Sequence, residues 1–147
     1  MADLILSRPT IPAMSEAAIG KVRELESIAV MLPQVPIGTD HVLHAGLYAR
    51  TVMVPAGVLI TGVLIKIATL LIVQGDALVY IGGEPTRLNG YNVVPAAAGR
   101  KQAFIAESDV YLTMIFPTDA LDVDEAERQF TDEVELLVSR KEQPCQL

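Results

Sequence analysis

The 147-residue chain has no tryptophan, one cysteine and two histidines, and aromatic residues make up 5% of it. Each shortage excludes something. The lone Cys145 permits no intrachain disulfide, so nothing calls for an oxidising compartment. With so few aromatics in a chain that is 51% hydrophobic, the core must be built from Val, Ile, Leu and Ala. Positive charge is also scarce: 11 Lys and Arg face 18 Asp and Glu, a net charge of −7. A phosphate backbone would be repelled, which excludes nucleic acid as a partner. No apolar run reaches the roughly 20 uninterrupted residues of a membrane span. The longest, over residues 52–73, is broken by Pro55, Gly57, Gly62 and Lys66. The N-terminus carries Asp3 before any apolar stretch and does not read as a secretory signal. The expectation is a chain with no membrane partner and one domain's worth of residues.

What is present falls into three zones. Residues 1–46 read as an N-terminal helical extension and linker. After Pro9 and Pro12, Ser15 and Glu16 begin a helical pattern in which Ala18, Val22, Leu25, Ala29 and Leu32 share one face. Pro33 and Pro36 end it, since proline cannot continue a helix. Residues 47–117 carry dense turn signals: Pro55-Ala56-Gly57, Gln74-Gly75-Asp76, Gly82-Gly83, Asn89-Gly90, Ala98-Gly99 and Glu107-Ser108-Asp109. Between them lie β-branched runs at 51–54, 58–67, 70–73, 78–81, 91–94, 104–106 and 110–116. Short strands spaced in this way predict a sandwich or closed barrel. Residues 118–147 read as an acidic C-terminal helix and tail. Thr118 and Asp119 stand as its cap, Asp122, Asp124, Glu125 and Glu127 crowd its dipole-favoured start, and Arg140 and Lys141 stand near its end. Val123, Ala126, Phe130, Val134 and Leu137 form its apolar stripe.

The segment from Pro55-Ala56-Gly57 to Gly75, followed by Gly90 to Gln102, resembles the two motifs of the cupin family. Gly57, Gly75, Gly90, Pro95 and Gly99 stand at the family's spacing. The resemblance implies a mainly β, single jelly-roll barrel, here with an N-terminal helical arm and a C-terminal helix. Where the family carries its metal-binding His, Glu and final His, this chain has Val63, Ile65, Thr69 and Gln102. Val and Ile cannot coordinate a metal, so the expectation is a chain without metal or other cofactor. Residues 41–142 are also similar to small cupin-like proteins of tailed bacteriophages and prophages. The phrases that carry the similarity are His44-Ala45-Gly46-Leu47-Tyr48-Ala49-Arg50, Gly99-Arg100-Lys101-Gln102-Ala103-Phe104, and Ala126-Glu127 with Phe130-Thr131-Asp132-Glu133.

Several residues carry chemistry that must be weighed against a plain structural role. His41 and His44 lie in a predicted loop with Asp40 as the only nearby further donor, too few for a metal site. Metal-independent sugar epimerases with this barrel use a His supported by an acid, with a Tyr opposite. Tyr80, Tyr91 or Tyr111 and Asp76 or Asp109 are the candidates for those roles here. Arg50, Lys66, Arg100 and Lys101 are candidate anion contacts at a barrel mouth, against the commoner role of surface salt bridges. Lys66, flanked by Ile65 and Ile67, should face away from both in a strand. Ser7, Ser15 and Ser27 have no nucleophile-elbow setting, and the acidic run 122–127 lacks the central Gly of a calcium loop.

The expectation is a non-enzymatic phage virion protein, assembled in the bacterial host cytoplasm. It would be a homo-oligomeric jelly-roll subunit that decorates or cements the capsid, or sits at the head–tail junction against capsid or tail proteins. Ala18, Val22, Leu25, Ala29, Leu32, Phe130, Val134 and Leu137 would be its interface, and removing residues 1–38 should leave the barrel folded. The alternative is a metal-free cupin enzyme of epimerase or isomerase type, or a small-ligand-binding protein. A third reading is a non-structural assembly factor.

Overall fold

The structure is a computed structural model, and residues 8–137 are described. Helix α1 (Glu16–Ala29) precedes nine strands: β1 (Thr39–His44), β2 (Leu47–Val54), β3 (Leu59–Thr61), β4 (Thr69–Gln74), β5 (Ala77–Tyr80), β6 (Thr86–Leu88), β7 (Tyr91–Ala96), β8 (Ala103–Ala106) and β9 (Val110–Pro117). Helix α2 (Val123–Phe130) and a 3-10 turn (Val134–Leu136) follow. The strands form two antiparallel sheets, β1-β2-β9-β4-β7 and β3-β8-β5-β6, which enclose the main core as a jelly roll.

Local chemistry accounts for most of these elements. In β4 and β9 buried and open positions alternate, so Leu71, Val73, Leu112, Met114 and Phe116 turn inward while Leu70 and Tyr111 turn out. The Ser15 side chain accepts the Ala18 N–H and caps α1. Gly75 shows why a glycine is required at one corner. Its φ is +122°, and a Cβ there would lie 2.5 Å from the Asp109 carbonyl oxygen.

Several expected boundaries shift. β1 was expected as linker, yet it pairs along its whole length with β2, so the boundary drawn at residue 46 falls in the turn of the first hairpin. That turn is Ala45-Gly46, with φ of +54° and +71°, the signs of a type I′ turn. The predicted strand 58–67 is paired as a strand only over Leu59–Thr61. Beyond it the chain leaves the sheet, and Lys66 donates its backbone N–H to the Phe130 carbonyl. Lys66 is therefore not a strand residue. Helix α1 ends at Ala29 rather than running to Leu32. The C-terminal helix is shorter than expected, being capped by Asp122 rather than by Thr118 or Asp119, and it stops where Thr131 turns extended. Val134 and Leu137 lie after it, and Arg140, Lys141 and Cys145 fall outside the described residues, as does Ser7.

The N-terminal segment is part of the domain. Ile11 bridges to Ala96 at the β7 edge and belongs to the main core. Met14, Ala18 and Val22 pack with Ala103, and Leu25, Leu59 and Tyr80 border them, so α1 lies on the outer face of the smaller sheet. The picture of α1 as an arm free of its own barrel is thus corrected, because its apolar stripe has its burial partner within the same chain. Of the eight expected interface residues, Ala18, Val22, Phe130 and Leu137 are buried, and Leu25 and Val134 pack against the two cores. Ala29 is partly buried, and only Leu32 is well exposed, at 56%.

Candidate functional site

The inward phase of the strands decides what the barrel interior contains. Tyr48, Arg50, Val52 and Val54 alternate along β2, so the strand that buries valines also buries an arginine. Arg100 and Gln102 enter in the same phase as Phe104 and Ala106 of β8. Two polar groups result.

The first lies under α2. Arg50 Nη1 donates to Glu127 Oε2 at 3.1 Å, both side chains being almost fully buried. The guanidinium lies 5.8 Å from the centre of the Phe130 ring. Tyr48, fully buried, stacks on Phe130 and meets Phe116 edge-on. Its hydroxyl lies 2.7 Å from Nδ1 of His41, which β1 projects inward. Burial, aided by Arg50, holds the His41 pKa below its usual value. Burial pushes the Tyr48 phenol up, against the pull of the Arg50 hydrogen bond. At neutral pH the pair is a neutral imidazole and a neutral phenol.

The second group surrounds Arg100, whose residue is 1% exposed. Nε donates to Gln102 Oε1 at 3.2 Å, and Nη1 donates to the carbonyls of Ile67 (3.2 Å) and Ala97 (2.7 Å). Nη2 donates to Thr69 Oγ1 at 2.7 Å and reaches Met114 Sδ at 3.9 Å. Every one of these acceptors is neutral. Burial pushes the Arg100 pKa down to about 10. Such a depression means that the folded chain disfavours the charged form by about 3 kcal/mol. The side chain stays protonated at neutral pH and sits in the interior as a costly cation.

A cavity of about 120 Å³ borders Arg50 and Phe130 of the first group and Met114 of the second. Val52, Leu71, Phe104, Leu112 and Met114 form its walls, Arg50 reaches it from one side, and Phe130, Leu136 and Leu137 cover it. Leu136, one of these covering residues, is 37% exposed.

The four expected anion contacts do not converge on an open mouth. Arg50 is paired with Glu127, and Arg100 is interior. Lys66 pairs on the surface with Asp132 at 2.6 Å. Lys101, fully buried, points the other way, under α1. Its Nζ donates to the Gly62 carbonyl (2.7 Å) and to Glu26 (3.1 Å), with Glu133 at 3.9 Å. Burial pushes the Glu133 pKa up, but the Leu64 N–H, Arg23 and Lys101 outweigh it and hold the carboxyl below its usual range.

The expected epimerase partners are also dispersed. Tyr91 and Tyr111 lie exposed on the outer face of the larger sheet, and Tyr80 borders α1. Asp76 accepts the Gly90 N–H and Asp109 the Ala56 N–H, both as turn ties. The histidines are strand residues rather than loop residues. The phenol that meets His41 is Tyr48, and the buried acid is Glu127. Sequence reasoning passed over both, although Arg50 shares its phase with Val52 and Val54, a sign of a buried cation that needs an acidic partner.

The positions at which the cupin family holds metal can now be tested. Val63 is buried in the core and Ile65 bridges to Arg100 through the backbone. Thr69 and Gln102 both accept hydrogen bonds from the Arg100 guanidinium. A cation already stands between the only polar members of the set, so these residues do not fit a metal ion. Among the described residues no group of three or more His, Cys, Asp or Glu side chains is placed to hold one.

No family model matches the chain, and no curated protein matches it. Solved structures with a similar strand arrangement include a cupin superfamily protein from Desulfitobacterium hafniense (14% identity, TM-score 0.48, 63% of this chain and 88% of that one). KdgF from Halomonas sp. is similar at 21% identity and a TM-score of 0.47, covering 63% of this chain and 87% of its own. The Cnp3 cupin domain of Schizosaccharomyces pombe stands at 20% and 0.46, covering 68% and 76%. The two-sheet arrangement of this chain is read from its own strand pairing.

Proposed function

We propose that this chain is a metal-independent binding protein of cupin fold whose barrel cavity takes a small organic ligand. The observation that carries this reading is the cavity of about 120 Å³ at the barrel core, walled by Leu71, Phe104 and Leu112 and covered by the C-terminal segment. Apolar walls with a few placed polar groups are the usual build of a ligand site. An engineered apolar cavity of about 150 Å³ takes benzene, which sets the scale of ligand. The test is a thermal-melt and calorimetric screen of small neutral molecules against the wild type and Leu71→Phe, which fills the space. Ligands that stabilise the wild type and not the filled variant are the expected result. A screen in which no compound discriminates between the two proteins refutes the reading.

A second reading remains open on one observation. The outer face of the larger sheet exposes Val42, Leu47, Met53, Leu70, Tyr91 and Tyr111, and exposed apolar patches mark interaction surfaces. This favours an assembled subunit, for which the phage virion is the proposed setting. Particle incorporation measured by mass spectrometry of purified virions tests it. A monomer near 15.8 kDa by light scattering that is missing from particles refutes it.

A further inference from the structure

An antiparallel sheet with one face in water keeps its apolar side chains for the core and turns polar ones outward. The larger sheet departs from this. Its strand pairing sets the outward side chains in rows that cross the strands. One row runs Val42, Ala49, Ile115, Leu70 and Pro95 from β1 to β7, without a polar side chain. The next runs Asp40, Thr51, Thr113, Ile72 and Val93, and its two threonine hydroxyls bond to each other at 2.8 Å. The row beyond carries Met53, Tyr111, Gln74 and Tyr91. Val42, Leu70, Tyr91 and Tyr111 stand exposed. Among the described residues, Asp40 at the β1 edge is the only charged side chain in these rows. At the opposite edge, exposed Arg8 donates to the Val93 carbonyl at 3.3 Å, at the far end of the row that Asp40 begins.

We propose that this face binds the same face of a second copy, the two sheets packing with strands aligned about a two-fold axis that runs along β9. The inference rests on the assembled-subunit reading above and names the partner. β9 is the middle strand of five, so such an axis lays β1 of each copy over β7 of the other and keeps each row opposite itself. Asp40 of each copy then meets the row end held by Arg8 of the other, and the lone acid of the face gains a cation. Three further observations favour a second copy. Each chain carries a net charge of −7, so two copies repel except across a face with almost no charge. Tyrosine and methionine with few charged groups are the composition of an interface centre. With about 4.8 Å between strands and about 3.3 Å per residue, the face spans roughly 25 Å each way including its side chains. A pair therefore buries roughly 1,200 Å², the lower end of stable specific interfaces.

Analytical ultracentrifugation of the full chain over a range of concentrations tests the proposal. The wild type should reach twice the chain mass of 15.8 kDa. Leu70→Lys places a charge in the middle of the face and should weaken the dimer roughly thirtyfold or more, the loss typical of a central interface residue. Its circular dichroism spectrum should not change, because position 70 faces outward. Asp40→Arg and Arg8→Asp should each weaken the dimer about three- to tenfold, and the double reversal should restore it. These two exposed edge positions keep the test sound if Leu70→Lys fails to fold. A dimer indifferent to Leu70→Lys, or a double reversal no tighter than the single ones, overturns the proposed arrangement and leaves the assembled-subunit reading standing. A wild type that stays monomeric also overturns it. If that monomer is present in purified particles the assembled-subunit reading survives, and if it is missing from them both fall.

Discussion

Replacing Lys101 by Met tests whether α1 is held to its own barrel by a buried lysine. The ammonium is fully buried and donates to the Gly62 carbonyl and Glu26, with Glu133 close by. Glu26 sits on α1, and Glu133 also takes Arg23 of α1 and the Leu64 N–H, so one cation joins the helix, the 62–64 loop and the C-terminal segment. Met keeps most of the apolar stem and removes the charge. Losing one partner of a fully buried pair costs about 3–5 kcal/mol. Here the glutamate side chains are 32% and 20% exposed and can turn to water, so about 2 kcal/mol is expected. With an unfolding entropy of about 2.1 cal/mol/K per residue, a chain of this length should melt about 7 °C lower. Glu26→Gln alone should cost about 1 kcal/mol, and the double variant should fall short of the sum, because the two groups share one interaction. Denaturant and thermal melts of the four proteins measure this. A Lys101→Met protein that melts within 1–2 °C of the wild type, or a strictly additive cycle, refutes the clamp (thresholds set roughly by the same scaling).

Deletion of residues 1–38 should now destabilise the barrel by several kcal/mol, since it strips the cover from Ala103 and Lys101 and removes Ile11 from the core; a truncated protein that melts like the full chain would contradict this. Ala45→Asn should stabilise by about 1 kcal/mol in chemical denaturation, because Asn tolerates the left-handed backbone that Ala45 holds at φ +54°. Gly75→Ala should cost roughly 3 kcal/mol or more, from the clash with the Asp109 carbonyl and the positive φ together, read as a lower denaturation midpoint. The folded-state pKa of His41 is depressed, so its contribution to stability is complete above the unfolded value near 6.5 and is lost as pH falls through the folded one. Melting between pH 8 and 5 (a window set about the unperturbed value) should therefore drop less steeply in His41→Gln than in the wild type.

The parts of the fold legible in the sequence are those encoded locally. Ser15 announces the start of α1, and the β-branched runs at 70–73, 91–94, 104–106 and 110–116 lie within β4, β7, β8 and β9. Where local signal misled, a distant partner had intervened. β1 reads Thr-Asp-His-Val-Leu-His, with no clean apolar alternation, and becomes a strand because β2 pairs with it. Residues 62–67 are apolar enough for a strand but divide their bonds, Gly62 and Ile65 donating to the Gln102 and Arg100 carbonyls and Leu64 and Lys66 to the C-terminal segment. Val134 and Leu137 keep helical spacing after a helix that Thr131 has already ended, its hydroxyl donating to the Leu64 carbonyl.

The sequence by itself determined an acidic, mainly β domain with glycine-marked corners, since composition, periodicity and turn chemistry each act within a few residues. It also supplied the four cations Arg50, Lys66, Arg100 and Lys101 without distinguishing them. Only the tertiary structure decided that Lys66 is a surface ion pair, Lys101 a clamp under α1, Arg50 a partner of Glu127, and Arg100 a buried cation among neutral acceptors. A charge is defined energetically by what it meets and how far it is from water. For these four, the deciding partners cited lie 31 to 77 residues away along the chain.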